Sequence, residues 1–151
     1  CHSSWRSYLD SIDMEEQFFH SDNYINQILR EVKTIALVGA SSNPEKDSYK
    51  VMKFLLENNY EVYPVNPNEK GNRILDQYCY GDLHSIDVPI DMVEIFRKPE
   101  EVLAITKEAV NIGSKVLWTQ LGIIDEEASK MAKSKGLKVV MNRCPKIELQ
   151  K

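Results

Sequence analysis

From residue 34 onward, two hydrophobic periodicities alternate along the chain. Short apolar runs of the kind that form buried strands are separated by stretches whose apolar positions recur every three or four residues, as on one face of a helix. The first run covers residues 34–39 and closes on Gly39. Ser48 is the candidate N-cap of a helix reaching residue 58, with Val51, Met52, Leu55 and Leu56 turned inward. Asn58-Asn59 ends that helix, since Asn tolerates the left-handed turn. A second strand follows at 61–65. Residues 68–87 are irregular, with room for a short strand near 73–75 or 77–80. Residues 90–96 read as a buried strand on which Asp91 and Glu94 supply a polar face. Pro99-Glu100-Glu101 opens a helix that Gly113 stops, and 115–119 is a strand. Asp125-Glu126-Glu127 starts a helix with Ile124, Ala128, Met131 and Ala132 on one face; Gly136 ends it, and 138–141 is the last strand.

Strands that alternate with helices pair in parallel through right-handed crossovers. The expected fold is therefore α/β and Rossmann-like: about five mostly parallel strands flanked by helices in a three-layer α/β/α sandwich. A leading helix at about 22–32, capped by Ser21 or Asp22, offers Tyr24, Ile25, Ile28, Leu29 and Val32 to the sheet. Residues 1–20 read as a polar N-terminal extension carrying Trp5, Tyr8, Phe18 and Phe19, and residues 21–151 as one domain. A chain that opens on Cys1 rather than Met reads as a processed or trimmed form.

Composition narrows the function. A length of 151 residues suits one domain with a sizeable core. The net charge of -4 argues against sequence-independent binding to nucleic acid, which needs a basic face, but permits a local cationic pocket. No apolar run approaches the ~20 residues that span a bilayer, and no signal peptide is evident, so a cytoplasmic location is expected. Cys1, Cys79 and Cys144 are far apart, without a Cys-x-x-Cys pair, which favours reduced thiols and argues against a structural zinc site.

In an open α/β sheet, ligands bind beyond the carboxyl ends of the strands, where the strand order reverses. The first such loop, Gly39-Ala40-Ser41-Ser42-Asn43-Pro44, follows neither the Gly-x-Gly-x-x-Gly nor the Lys-Ser/Thr phosphate-loop pattern. It reads either as an anion site built from backbone N–H groups or as a plain strand-to-helix connection. The second strand closes on Asn66-Pro67, where an NAD-binding protein usually carries an acid for the ribose diol. Asn can hydrogen-bond an adenine edge without repelling phosphate; Pro67 can equally just end the strand. Lys46, Lys70, Arg73, Arg97 and Arg143 all fall in these loops. Surface lysines are usually only solvated, whereas Arg97 and Arg143 directly follow strands and suit phosphate or carbonyl recognition. Trp118 reads as core or as ligand wall, and Gly122 in Gln120-Leu121-Gly122 lets backbone approach a ligand. Cys144 reads as an inert thiol or as one activated by Arg143. No catalytic constellation emerges: His84 has no Ser or Cys partner motif, and Glu100/Glu101 read as a helix start.

With these residues in view, the chain resembles the CoA-binding domain family, which includes small stand-alone proteins and the first domain of the succinyl-CoA synthetase α subunit. The resemblance runs from about Thr34 to Glu148. It rests on Val38-Gly39-Ala40-Ser41, Val65-Asn66-Pro67, Phe96-Arg97, Trp118-x-Gln120-x-Gly122 and Arg143-Cys144-Pro145, in that order. It implies coenzyme A (or acyl-CoA) lying across the strand ends. Gly39, Ala40, Ser41 and Ser42 would contact its phosphates, and Ser48 is expected among the ligand-binding residues with them. Val65, Asn66 and Pro67 would meet the adenosine end; Lys46, Lys70 or Arg73 the 3′-phosphate or pyrophosphate. Phe96, Arg97, Gln120 and Gly122 would line the pantetheine path, flanked by Trp118, Arg143 and Cys144. Two positions depart from the family pattern: Asn142 stands where Asp is frequent, and Asn59 where Gly is usual.

The function expected is a non-catalytic binding module, a carrier or sensor of CoA or acyl-CoA. Ligase activity is not expected, because the phosphohistidine domain and ATP-grasp partner of the synthetase have no room in this length. An NAD(P)-binding oxidoreductase or redox sensor is the alternative. A homodimer and an acyl-CoA synthetase partner subunit both stay open as partners.

Overall fold

The apolar runs become strands because both of their faces can be covered. In the computed structural model, which describes residues 21–150, β1 (Thr34–Val38), β2 (Glu61–Val65), β5 (Met92–Ile95), β6 (Val116–Thr119) and β7 (Lys138–Val140) form one sheet. Its order is β2-β1-β5-β6-β7, and every neighbouring pair is parallel. The two short strands offered by the irregular middle both exist, as an antiparallel hairpin of β3 (Arg73–Ile74) and β4 (Gln77–Tyr78). Tyr80 then extends the sheet beyond β2 by a parallel bridge to Val65.

Side chains alternate across the pleat, so each strand feeds two cores. Ile35, Leu37, Met92, Val116, Trp118 and Val140 meet α1 (Asp22–Glu31), α2 (Asp47–Glu57) and α5 (Pro145–Leu149). Ala36, Val38, Val93, Ile95, Leu117 and Val139 meet α3 (Pro99–Asn111) and α4 (Glu126–Ser134). That is the three-layer arrangement expected. The leading helix is capped as its sequence suggests: Ser21 Oγ accepts from the Tyr24 N–H at 3.1 Å, and the Tyr24 hydroxyl donates to the Val139 carbonyl at 3.3 Å. The expected extension at residues 1–20 lies outside the described residues. Among those described, no helix is long and apolar enough to cross a membrane.

Some local expectations change. Ser48 does not cap α2: the cap is two residues earlier, at Lys46, which has no side-chain cap bond, the helix begins at Asp47, and Ser48 is buried in its first turn. Short turns inside the preceding loop set this entry, with Ser41 Oγ accepting from Asn43 N–H (3.1 Å) and Asn43 Oδ1 from Glu45 N–H (3.0 Å). On α4 the buried face is Ala128, Ser129 and Ala132; Ile124 precedes the helix and is exposed. Glu94 is not on a polar face. It shares the orientation of Met92, lies in register between Leu37 and Trp118, and is fully buried.

Candidate functional site: the crevice at the strand ends

The chain leaves β1 outward to β2 and returns past β1 to β5, so the strand order reverses between β1 and β5. A crevice at their carboxyl ends follows from that topology. The two ends are drawn together here. The Phe96 N–H donates to the Val38 carbonyl at 2.8 Å, one residue past β5. Gly39 turns away with φ +91°, and a Cβ built on it would lie 2.6 Å from the Phe96 carbonyl oxygen and 3.1 Å from Arg97 Cδ. Only glycine fits between these backbones.

The loops after β1 and β2 are laced together. The Gly39 and Ala40 N–H groups both donate to the Val65 carbonyl, at 2.9 and 3.3 Å. Asn66 Nδ2 donates to the Ala40 carbonyl at 2.8 Å, while its Oδ1 accepts from Asn68 N–H at 2.9 Å and so caps the short 3-10 turn Pro67–Glu69. Glu69, at the end of that turn, reaches back to the loop after β1. Its Oε2 accepts from the Ser42 N–H at 2.9 Å, and its Oε1 accepts from the Ser42 hydroxyl. Sequence reasoning missed Glu69. Its spacing from Asn66 resembles a capping box, but its partner is 27 residues away.

On the other side of the crevice, Arg97 forks onto Glu101, with Nε to Oε2 at 3.1 Å and Nη2 to Oε1 at 2.8 Å. Glu101 is held below the usual carboxylate range, chiefly by that hydrogen bond. Trp118 is fully buried, and its indole N–H donates to the Arg143 carbonyl at 2.8 Å, so it braces the last loop from the core. The Gln120 N–H donates to the Ile95 carbonyl at 3.1 Å, which seats Gln120 beside the end of β5. Asn142, with φ +61°, offers Oδ1 to the Gly122 N–H at 2.7 Å. The amide oxygen thus supplies the acceptor that an Asp would, and Asn is well suited to the left-handed backbone.

Unpaired polar atoms gather beneath this side. Both Glu94 carboxyl oxygens, Gln120 Oε1 and Arg143 Nε are buried without a hydrogen-bond partner. Burial, and after it the neighbouring Cys144, pushes the Glu94 carboxyl well above the ordinary range. Cys144 is a free thiol in the core and only 6% exposed. Buried groups of this kind call for a water or ligand partner.

The chain thus carries Gly39 to Ser42, Val65 to Pro67, Phe96, Arg97, Gln120, Gly122 and Arg143-Cys144 at or just beyond the carboxyl ends of the parallel strands, with Trp118 buried in the core beneath them and Ser48 buried in the first turn of α2. Among the described residues, no side-chain hydrogen bond or ion pair joins Lys46, Lys70 or Arg73 to this network. Lys70 packs over Gly81, and Arg73 donates to the Asp76 carbonyl at 3.3 Å within its own hairpin. Two clefts, of about 400 and 530 Å³, lie at the opposite edge, lined by residues such as Val32, Lys33, Thr34, Asp91 and Lys115 at the amino ends of the strands. Those clefts lack the switch in strand order and the converging loops. No group of three or more His, Cys, Asp and Glu residues among those described is placed to hold a metal ion.

Residues 33–150 match the family model described as CoA binding domain, and the chain belongs to that family. It is 37% identical over 123 residues to the uncharacterized protein YneT of Bacillus subtilis strain 168, covering 82% of this chain and 90% of the relative. A solved structure of a hypothetical protein from Pyrococcus horikoshii OT3 superposes with a TM-score of 0.83 at 42% identity, over 87% of this chain and 91% of that one. A shorter stretch of 63 residues is 35% identical to the ADP-forming acetate–CoA ligase of Methanocaldococcus jannaschii, covering 42% of this chain but only 9% of that enzyme.

Proposed function

We propose that this protein binds coenzyme A or an acyl-CoA across the carboxyl ends of its parallel strands, as a non-catalytic carrier or sensor. The observation that carries the reading is the Gly39–Phe96 approach at the strand switch, beside an Asn66 where a ribose-binding acid would stand. CoA bears a phosphate on its ribose, so an acid at position 66 would repel it; Asn does not. Bound CoA supplies a thiol that carries an acyl group. The residues that would hold it are the Gly39–Ser42 and Asn66–Pro67 loops at the nucleotide end, and Phe96, Arg97, Gln120 and Gly122 along the pantetheine.

Calorimetry with CoA, acetyl-CoA, dephospho-CoA, NAD and NADP tests this directly. Saturable CoA binding that weakens for dephospho-CoA is expected; a response to NAD or NADP with silence from CoA overturns the reading. The partial match to an ADP-forming ligase favours a second possibility, that the chain lends its CoA site to a larger acyl-CoA synthetase. Co-purification of an ATP-grasp subunit would establish it.

A further inference from the structure

Resting on the CoA reading above, we propose that Glu69 is an internal anion that occupies the phosphate position of the first loop and sets which ligands enter. The geometry is direct. A loop expected to present backbone N–H groups to phosphate has four of them already engaged within the protein: Gly39 and Ala40 with the Val65 carbonyl, Ser42 with Glu69, and Asn43 with the Ser41 hydroxyl. The first two bonds tie the end of β1 to β2 and belong to the sheet's closure. The third is different, because its acceptor is a carboxylate on an exposed turn. Glu69 takes both the N–H and the hydroxyl of Ser42, one on each oxygen. Two converging donors on two oxygens is how a phosphate would be held, and a carboxylate is its nearest protein equivalent.

A phosphate oxygen entering this loop must therefore displace Glu69 or be repelled by it. Displacement is mechanically easy. Glu69 ends a single 3-10 turn anchored by Asn66 and Pro67, and its side chain alone bridges to Ser42. Ligands with enough other contacts, such as a 3′-phosphate and a pantetheine arm, offset the loss of the Glu69 bonds. A bare phosphate or a simple nucleotide does not. Glu69 thus acts as a specificity-determining residue that raises the threshold for anion entry.

The test compares Glu69→Gln and Glu69→Ala with Glu45→Gln, which removes the same charge from an exposed position in the same loop but leaves Ser42 untouched. Inorganic pyrophosphate and CoA are titrated separately by calorimetry, with melting curves confirming that each variant folds. Both Glu69 variants should bind pyrophosphate at least about tenfold more tightly, or about 1.4 kcal/mol, while Glu45→Gln changes it less than about twofold. Equal gains in all three variants would reduce the effect to net charge and overturn the proposal. So would unchanged or undetectable pyrophosphate binding in the Glu69 variants. The CoA arm separates the two readings: a pyrophosphate gain with no CoA binding in any form rejects the CoA function but keeps the role of Glu69. Should Glu69→Ala melt early, Glu69→Gln retains the shape of the side chain and decides the matter.

Discussion

Gly39 and Phe96 approach so closely that a methyl group on the glycine would sit 2.6 Å from the Phe96 carbonyl oxygen. The contact joins the ends of the two strands on either side of the switch in order. Gly39→Ala meets two obstacles at once, a left-handed backbone at φ +91° and a collision with backbone that has no rotamer to yield. The expected loss is about 2–5 kcal/mol, together with loss of ligand binding. Urea unfolding of the variant checks it; a loss below about 1 kcal/mol would mean that the strand ends separate freely.

Arg97 lies against the same turn but is held by a different kind of interaction. Its fork onto Glu101 is partly exposed to solvent, and ion pairs near the surface contribute little to stability. Arg97→Ala should therefore keep its thermal midpoint within a few degrees, while CoA binding weakens roughly tenfold or more through loss of a charge-assisted donor. Arg97→Lys should recover only part of the affinity, because the ammonium lacks the planar fork. Unchanged affinity in Arg97→Ala would show that the guanidinium serves Glu101 alone.

Glu94 predicts an unusual pH dependence. It is an acid whose native value is raised, so between the unfolded value near 4.5 and the native one the folded chain keeps a proton that the unfolded chain has released. Its contribution is therefore fully present at acid pH and is lost as pH rises, by up to about 1.4 kcal/mol per pH unit in that window. Asp91 works in a separate window. Burial opposes its ionisation, but the N–H groups of Lys33 and Thr34 more than compensate and hold it below 3.8, so its stabilisation is lost only under more acid conditions. Glu94→Gln removes the ionisable carboxyl. The variant should gain on the parent as pH rises above about 4.5 in denaturant melts, whereas parallel curves would mean that Glu94 is paired in solution.

The residues that punctuate elements were legible in the sequence, because they act locally. Asn59, Gly113 and Gly136 all adopt the positive φ that their positions after helices suggest. The Gly39 turn and the Asn66-Pro67 strand end were readable for the same reason. Glu94 was not: an acid in a strand suggests a wet face, yet helices cover both faces of this parallel sheet. Glu69 was illegible because its partner Ser42 comes from another loop, and no spacing rule connects them. Trp118 lay between two readings until its register beside Glu94 and its bond to the Arg143 carbonyl placed it in the core.

Asn142 offers the sharpest separation of backbone from charge. It combines a left-handed conformation with a 2.7 Å bond from the Gly122 N–H, so it fixes the loop after β6 against the loop after β7. Asn142→Ala loses the acceptor and keeps a strained backbone, and should cost about 1–3 kcal/mol. Asn142→Gly relaxes the backbone but still lacks the acceptor, so it should fall between Ala and the parent. Asn142→Asp restores the acceptor with a charge, and an Asp hydrogen-bonded by an N–H has a depressed native value. Its stability should match or exceed the parent's at neutral pH and fall away only as pH drops below about 4. Melting curves at pH 7 and pH 3.5 for the set decide the point. An Asn142→Ala as stable as the parent would show that the Gly122 bond holds nothing in place, and that the β6 and β7 loops are positioned by Trp118 and Arg143 instead.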